Sequence, residues 1–317
     1  MSKRLGFMAI VLLVVGCSSE RNDRTFDLGS GEHWIGNAVC YGPHRDGQSP
    51  DAPGPSQAEL REDLTLMLPH WSLLRVYGSR GPAEDLLEII DSDSLPMKVV
   101  LGVWIAPDDA SNNAAEVAAA IRLANNYPGI VVAVSVGNET QVSWSAHRSS
   151  LDQLINHVRT VRAGVSVPVS VADDFAWWSK PESRRLAAEI DFLMVHAHPM
   201  WNGLMLGESL SWLQECIADV AALHPDQLLV VAETGWATSV HDKGEQAELI
   251  HGQPGEAQQA EYYQQVRQWA HDTQTSVFFF EAFNENWKGG AHPAEVEKHW
   301  GVFFENRSPK AAIRPLP

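Results

Sequence analysis

The sequence predicts a single (β/α)8 barrel, the TIM barrel, from three observations. Eight short apolar runs recur along the chain, amphipathic helical patterns lie between them, and the runs are spaced by about 35 residues, the length of one strand-helix unit. Runs that are continuously apolar, rather than alternating, belong to a parallel sheet covered on both faces, and eight such units close into a barrel. An open doubly wound sheet is disfavoured because no GxGxxG follows the first run.

The runs begin at Trp34, Leu73, Lys98, Val131, Val167, Asp191, Leu228 and Ser276. Helical patterns run from Ser56 to Leu68, Pro82 to Ile90, Ala114 to Asn125, Leu151 to Val161, Pro181 to Ile190, Glu208 to Leu223 and Glu256 to His271. The clearest is Leu151, Leu154, Ile155, Val158 and Val161, one apolar stripe at helical spacing. No linker or low-complexity stretch divides residues 33–317, which read as one domain, and a monomer is expected.

Ahead of the barrel, Lys3 and Arg4 precede an apolar run from Leu5 to Val15, too short to span a bilayer and shaped like an export signal. Val14-Val15-Gly16-Cys17 resembles the bacterial lipoprotein box. That resemblance implies cleavage after residue 16, lipidation of Cys17, residues 17–32 as a polar tether, and, with Ser18 next, an outer-membrane anchor. Cys40 and Cys216 read as buried free thiols, although export would permit a disulfide.

With 44% hydrophobic and 20% charged residues over 317 positions, disorder and coiled coil are excluded. Against 40 Asp+Glu there are 23 Lys+Arg, a formal charge of −17; losing residues 1–16 removes two cations more and leaves −19. Such a surface repels phosphate and anionic polysaccharide alike, so nucleic acid is excluded as a partner and a neutral glycan is consistent. Tryptophan is over-used, 12 residues against 10 Phe and 5 Tyr, and flat aromatic faces suit sugar rings.

In a barrel of this kind, chemistry belongs at the C-terminal ends of the strands. Polar residues interrupt the apolar runs there: Arg75 and Tyr77, Trp104, Asn138 and Glu139, Asp173 and Asp174, His196 and His198, Glu233, then Glu281, Asn284 and Glu285. Carboxylates at the ends of buried strands are costly unless used or paired. Glu139 and Glu233 stand out as an acid and nucleophile pair. His196 and His198 share a strand face, but no third ligand follows at metal-binding spacing, so neither a metal nor any other cofactor is expected. Motifs for metallopeptidase, redox, serine hydrolase and phosphate-loop chemistry are absent.

VGNE at the fourth strand and AETGW at the seventh resemble glycoside hydrolase family 17. So do Tyr41 to Pro50 after the first strand, Arg75-Val76-Tyr77-Gly78 after the second, Ala282 to Lys288 after the eighth, and the closing His299-Trp300-Gly301-Val302-Phe303. The resemblance spans roughly Trp34 to Lys310; its one departure is His196-Ala197-His198-Pro199-Met200-Trp201, where the family carries an aromatic Tyr-Pro stretch. It implies a retaining hydrolase of β-1,3-glucans of the laminarin type, with Glu233 as nucleophile and Glu139 as acid and then base. Asn138 would bind the sugar 2-OH, and Tyr77 the nucleophile or the adjacent sugar. Arg75 would hold a carboxylate by a bidentate pair, unless it is a structural salt bridge. Glu285 and Lys288 would line the site wall, His198 would bond substrate or Glu233, and Trp104, Trp201, Trp236 and Trp287 would stack on sugar. Two other readings stay open: a glucanosyltransferase using the same intermediate, and a surface lipoprotein that binds glycan without cleaving it.

Overall fold

The computed structural model describes residues 24–314. Eight parallel strands close in sequence order: β1 (Asn37–Cys40), β2 (Leu73–Arg75), β3 (Lys98–Val103), β4 (Val131–Asn138), β5 (Val169–Asp174), β6 (Leu193–His196), β7 (Leu229–Thr234) and β8 (Val277–Phe279), with β1 pairing β8. Every apolar run yields its strand. Around them lie α1 (Gln57–Met67), α2 (Pro82–Ser92), α3 (Ala110–Asn126), α4 (Leu151–Gly164), α5 (Phe175–Trp178), α6 (Arg184–Ala187), α7 (Leu206–Leu223), α8 (Gly244–Leu249) and α9 (Glu256–Thr273).

The helices follow local chemistry. At α1 the Ser56 hydroxyl accepts from the Glu59 N–H while the Glu59 carboxylate accepts from the Ser56 N–H, a reciprocal cap. The 14 residues of α4 would be marginal alone; they bury Leu154, Ile155, Val158 and Val161, each worth roughly 1.5–3 kcal/mol when fully buried. The unit after β5 departs from expectation. Instead of one helix over Pro181–Ile190, α5 packs first, with the Trp178 indole N–H on the Met194 carbonyl, then a 3-10 turn at Pro181–Ser183 leads into the single turn of α6. The Ser183 hydroxyl bonds back to the Trp178 and Lys180 carbonyls, which holds that break. The loop after β7 folds into α8, which the sequence pattern did not reveal.

Residues 24–32 correct the expected tether. Arg24 donates to the Val167 and Arg162 carbonyls and, through its N–H, to Asp191, while Phe26 stacks on Phe192 at 4.4 Å and is buried with Leu28. Two apolar side chains in a polar-looking stretch dock this segment against the start of β5 and β6, at the N-terminal face of the barrel. Cys17 and the apolar run before it lie outside the described residues. Among the described residues no helix is long and apolar enough to cross a membrane.

At the opposite face, β4 with β5, β6 with β7 and β7 with β8 each slip register near their C-terminal ends. Such irregularities re-aim side chains at a barrel rim. Here they set His196 beside Glu233 across the β6–β7 pair, and Asn138 beside Ala172 across the β4–β5 pair.

Candidate active site

Glu233, the penultimate residue of β7, is buried, and each of its oxygens is held. Oε1 accepts from Arg75 Nη1 at 2.6 Å and the Tyr77 hydroxyl at 2.9 Å; Oε2 lies 3.3 Å from His198 Nε2. Burial alone would raise this carboxyl, but the neighbouring His196 ring, the Arg75 guanidinium and the His198 hydrogen bond outweigh it and hold Glu233 well below the usual carboxylate range. It is a carboxylate fixed in the ionised form.

Glu139 follows the last residue of β4 and adopts φ +49°, a left-handed conformation that a side chain of this kind rarely takes. Gly137 just before it, at φ +80°, makes the turn, and the Glu139 N–H is fixed on the Ala172 carbonyl. The turn leaves Glu139 the more open carboxylate, with its side chain 27% exposed against 8% for Glu233. Between the two stands His196, fully buried, with Nδ1 2.9 Å from Glu139 Oε1 and Nε2 3.4 Å from Glu233 Oε1.

The bidentate pair expected of Arg75 takes another form. The guanidinium is 2% exposed and splits its fork, Nη1 on Glu233 and the Ala232 carbonyl, Nη2 on Asn138 Oδ1 at 2.6 Å. It therefore touches no sugar. Since Arg75 takes the amide oxygen of Asn138, the NH2 group is the donor that this half-buried side chain has left to offer. The ring of Tyr77 lies under the guanidinium at 4.6 Å, which fixes the hydroxyl on Glu233. Cys40 sits behind the same cluster, its thiol donating to the Ala232 carbonyl and pushed by burial up to about 12; Cys40 and Cys216 are both buried and unpaired.

Asp173 and Asp174 are structural. Asp173 accepts the N–H groups of Gln141 and Asp174, which pins the loop after Glu139, and Asp174 caps α5 through the Ala176 N–H. Burial raises Asp173 well above its ordinary value and Asp174 to about 6.

Beyond β8 the chain turns at once, so Glu281 and Glu285 both reach Lys288, at 2.6 and 2.9 Å. Glu285 also receives the His44 and Trp287 ring nitrogens and packs against Gly42, where a Cβ would fall 2.2 Å from its carboxylate. At 1% exposure with its oxygens occupied, Glu285 offers nothing to a sugar. It and Lys288 anchor the wall that they were expected to line. Burial would lower Lys288, but the two carboxylates more than reverse that and keep it charged.

The four stacking candidates separate. Trp287 is 41% exposed, and Trp104 and Trp201 are half-buried at the rim, Trp104 edge-on to His147 at 4.4 Å. Trp201 lines a depression of about 390 Å³ with His241, Lys243, Gln246 and Glu295, one whose lining includes neither catalytic candidate. Trp236 is fully buried, bonded to the Gln253 carbonyl and packed on Tyr262, so it stacks on no substrate. The turn at Gly235, whose Cβ would meet the Phe280 carbonyl at 2.0 Å, carries the indole inward.

Several supports were not foreseen. Glu116 on α3 accepts the Ser79 and Trp104 N–H groups, and Glu297 accepts from the Trp201 indole. Gln259 on α9 donates to the Trp236, Trp300 and Gly301 carbonyls, tying the β7 turn to the segment after β8. A charged or amide residue on the apolar stripe of a helix was the available signal for Glu116 and Gln259.

Known proteins share the sequence pattern and the fold. A glucan 1,3-β-glucosidase of Arthroderma benhamiae is 27% identical over 280 residues, 82% of this chain and 86% of its own length. The crystal structure of an endo-laminarinase from Formosa Hel1_33_131 superposes with a TM-score of 0.76 at 25% identity, covering 88% of this chain and 86% of that one. A glycoside hydrolase family 17 β-1,3-glucanosyltransferase from Rhizomucor miehei shares the fold, with a TM-score of 0.72 at 22% identity over 88% of this chain and 96% of that one. Residues 38–301 match one family from the first strand to the segment past the eighth, so the chain belongs to the BtgE/BtgC glycoside hydrolase domain family.

Proposed function

We propose that the protein hydrolyses β-1,3-glucosidic bonds of laminarin-type glucans with retention, in the manner of family 17. The observation that carries this reading is the pair at the ends of β4 and β7, one carboxylate locked in the ionised form and a second, more exposed, facing it across His196. Glu139 donates a proton to the glycosidic oxygen as Glu233 attacks the anomeric carbon, the leaving sugar departs, and a glucosyl ester forms on Glu233. Water then attacks the same carbon, Glu139 takes its proton, and Glu233 is released. Oε1 already accepts two short hydrogen bonds, so Oε2, with one contact at 3.3 Å, is the oxygen that attacks. The NH2 group of Asn138, aimed by Arg75, binds the 2-OH, a bond that strengthens in the transition state.

The N-terminal lipid anchor belongs to the same reading. Six residues lie between Cys17 and Arg24, seven peptide steps and so a leash of at most roughly 25 Å, and Arg24 is held at the face opposite the cleft. An anchor at Cys17 would turn the cleft away from an outer membrane. The experiment is a time course of products from laminari-oligosaccharides: shortening chains support hydrolysis, products longer than the substrate identify transfer, and binding without turnover overturns both.

A further inference from the structure

We propose that His196 is the positioning residue that couples the two carboxylates, holding Glu139 in its protonated form through Nδ1 while Nε2–H faces Glu233. The inference rests on the proposed glycosidase reading and goes beyond it, since neither catalytic role names this histidine.

The geometry is specific. His196 ends β6 and is fully buried, and the register slip between Val195 and His196 sets it opposite Glu233. Nδ1 makes a hydrogen bond to Glu139 at 2.9 Å; Nε2, 3.4 Å from Glu233, has no well-aligned partner among the described residues. Four titratable groups lie around the ring: Glu139 just past the end of β4, Asp174 from β5, Glu233 from β7 and His198 two residues beyond β6, with Arg75 of β2 behind Glu233. Three of the four are carboxyls.

A neutral imidazole carries one N–H and one lone pair. Because Glu233 is fixed as the anion, the hydrogen belongs on Nε2, where it meets that charge. The lone pair of Nδ1 then faces Glu139, and it can be satisfied only if Glu139 supplies the hydrogen. An O–H donated to Nδ1 is a good contact, whereas a carboxylate against a lone pair is repulsive. One ring thus favours charge on the nucleophile and a proton on the acid. In the second half of the reaction, with Glu233 esterified, the same lone pair favours Glu139 taking a proton from water. No proton passes through the ring in either step.

The test compares His196→Asn with His196→Gln on laminari-oligosaccharides and on an aryl β-glucoside whose leaving group is acidic enough to need no proton. An Asn amide can reach the Nδ1 position and a Gln amide the Nε2 position. His196→Gln, which abandons Glu139, should move the alkaline limb of the kcat/KM profile down by about one pH unit, the size of one ordinary net hydrogen bond. It should also slow oligosaccharide hydrolysis by roughly tenfold while leaving the aryl substrate within about threefold of wild type. His196→Asn should keep the wild-type alkaline limb. Thermal melts confirm folding, and if Gln does not fold the Asn variant decides alone, because a shifted alkaline limb there contradicts the proposal. An unshifted profile in His196→Gln, or equal losses on both substrates, overturns it. Glu139→Gln is the control: if it shows no dependence on the leaving group, the glycosidase assignment itself fails; if it does and His196→Gln does not, only the role of His196 falls.

Discussion

Replacing Arg75 with Lys separates positioning from charge. Arg75 reaches two partners that no ammonium can serve together, Glu233 at 2.6 Å and Asn138 at 2.6 Å, one on each arm of its fork. Lysine keeps the positive charge, so Glu233 is not stranded as an unpaired buried anion, a loss that would cost about 3–5 kcal/mol. What disappears is one charge-assisted hydrogen bond, worth about 1.5–3 kcal/mol, and with it the aim of either the nucleophile or the Asn138 amide. If that energy acts in the transition state, kcat/KM falls roughly 10- to 150-fold. The fall should lie mainly in kcat, because Arg75 is too buried to touch sugar. The assay is steady-state hydrolysis of a laminari-oligosaccharide beside a thermal melt of both proteins. A Lys variant within threefold of wild type would refute the reasoning, as would a loss carried entirely by KM.

Four more outcomes follow from the same structure. Asp174 is raised by burial to about 6, so it binds a proton in the folded state that the unfolded chain has released by about pH 4, and the stability of that form is lost as pH rises from about 4 through 6. Asp174→Asn keeps the cap on α5 and should be more stable at pH 7 by up to about 2–3 kcal/mol; melting lower than wild type at pH 7 would contradict this. Glu233 has the opposite sign: its held-down carboxyl stabilises the fold above about pH 4, and that contribution is lost as pH falls below, which Glu233→Gln should show as a flatter acid limb in unfolding. Trp236→Ala should cost about 3–5 kcal/mol, while Trp287→Ala should cost no more than the one hydrogen bond to Glu285, about 1.5–3 kcal/mol, and should raise KM; the reverse pattern in melts and kinetics would overturn the division of the tryptophans. Phe26→Ala should lower stability by about 1.5–3 kcal/mol in denaturant unfolding, the transfer term of one buried Phe, and no change would return residues 24–32 to the status of a free tether.

The barrel was legible because its strands are buried on both faces, which leaves continuous apolar runs, and a polar residue breaking such a run has to be explained by its neighbours. Glu139 and Glu233 are visible for that reason. What the chain does not write locally is who meets whom. The split fork of Arg75 depends on the separate positions of β4 and β7, and the bridge at His196 depends on a register slip that no single strand records. Glu285 was expected on the site wall with Lys288, yet His44, from the far end of the chain, takes its oxygen. Trp236 follows a strand end, as a platform should, and the close approach of Gly235 to Phe280 turns it inward. Phe26 and Leu28 were legible as apolar residues but were outweighed by their polar neighbours.

The central claim is that Glu233 attacks the anomeric carbon. A slow-turnover 2-fluoro laminari-oligosaccharide carrying a good leaving group should accumulate the glycosyl-enzyme, and mass spectrometry of the digested protein reads where the sugar sits. The account predicts one added glycosyl group on the peptide that contains Glu233. A label on the peptide of Glu139, or rapid turnover of the reagent with no adduct and with inversion at the anomeric carbon, would contradict it.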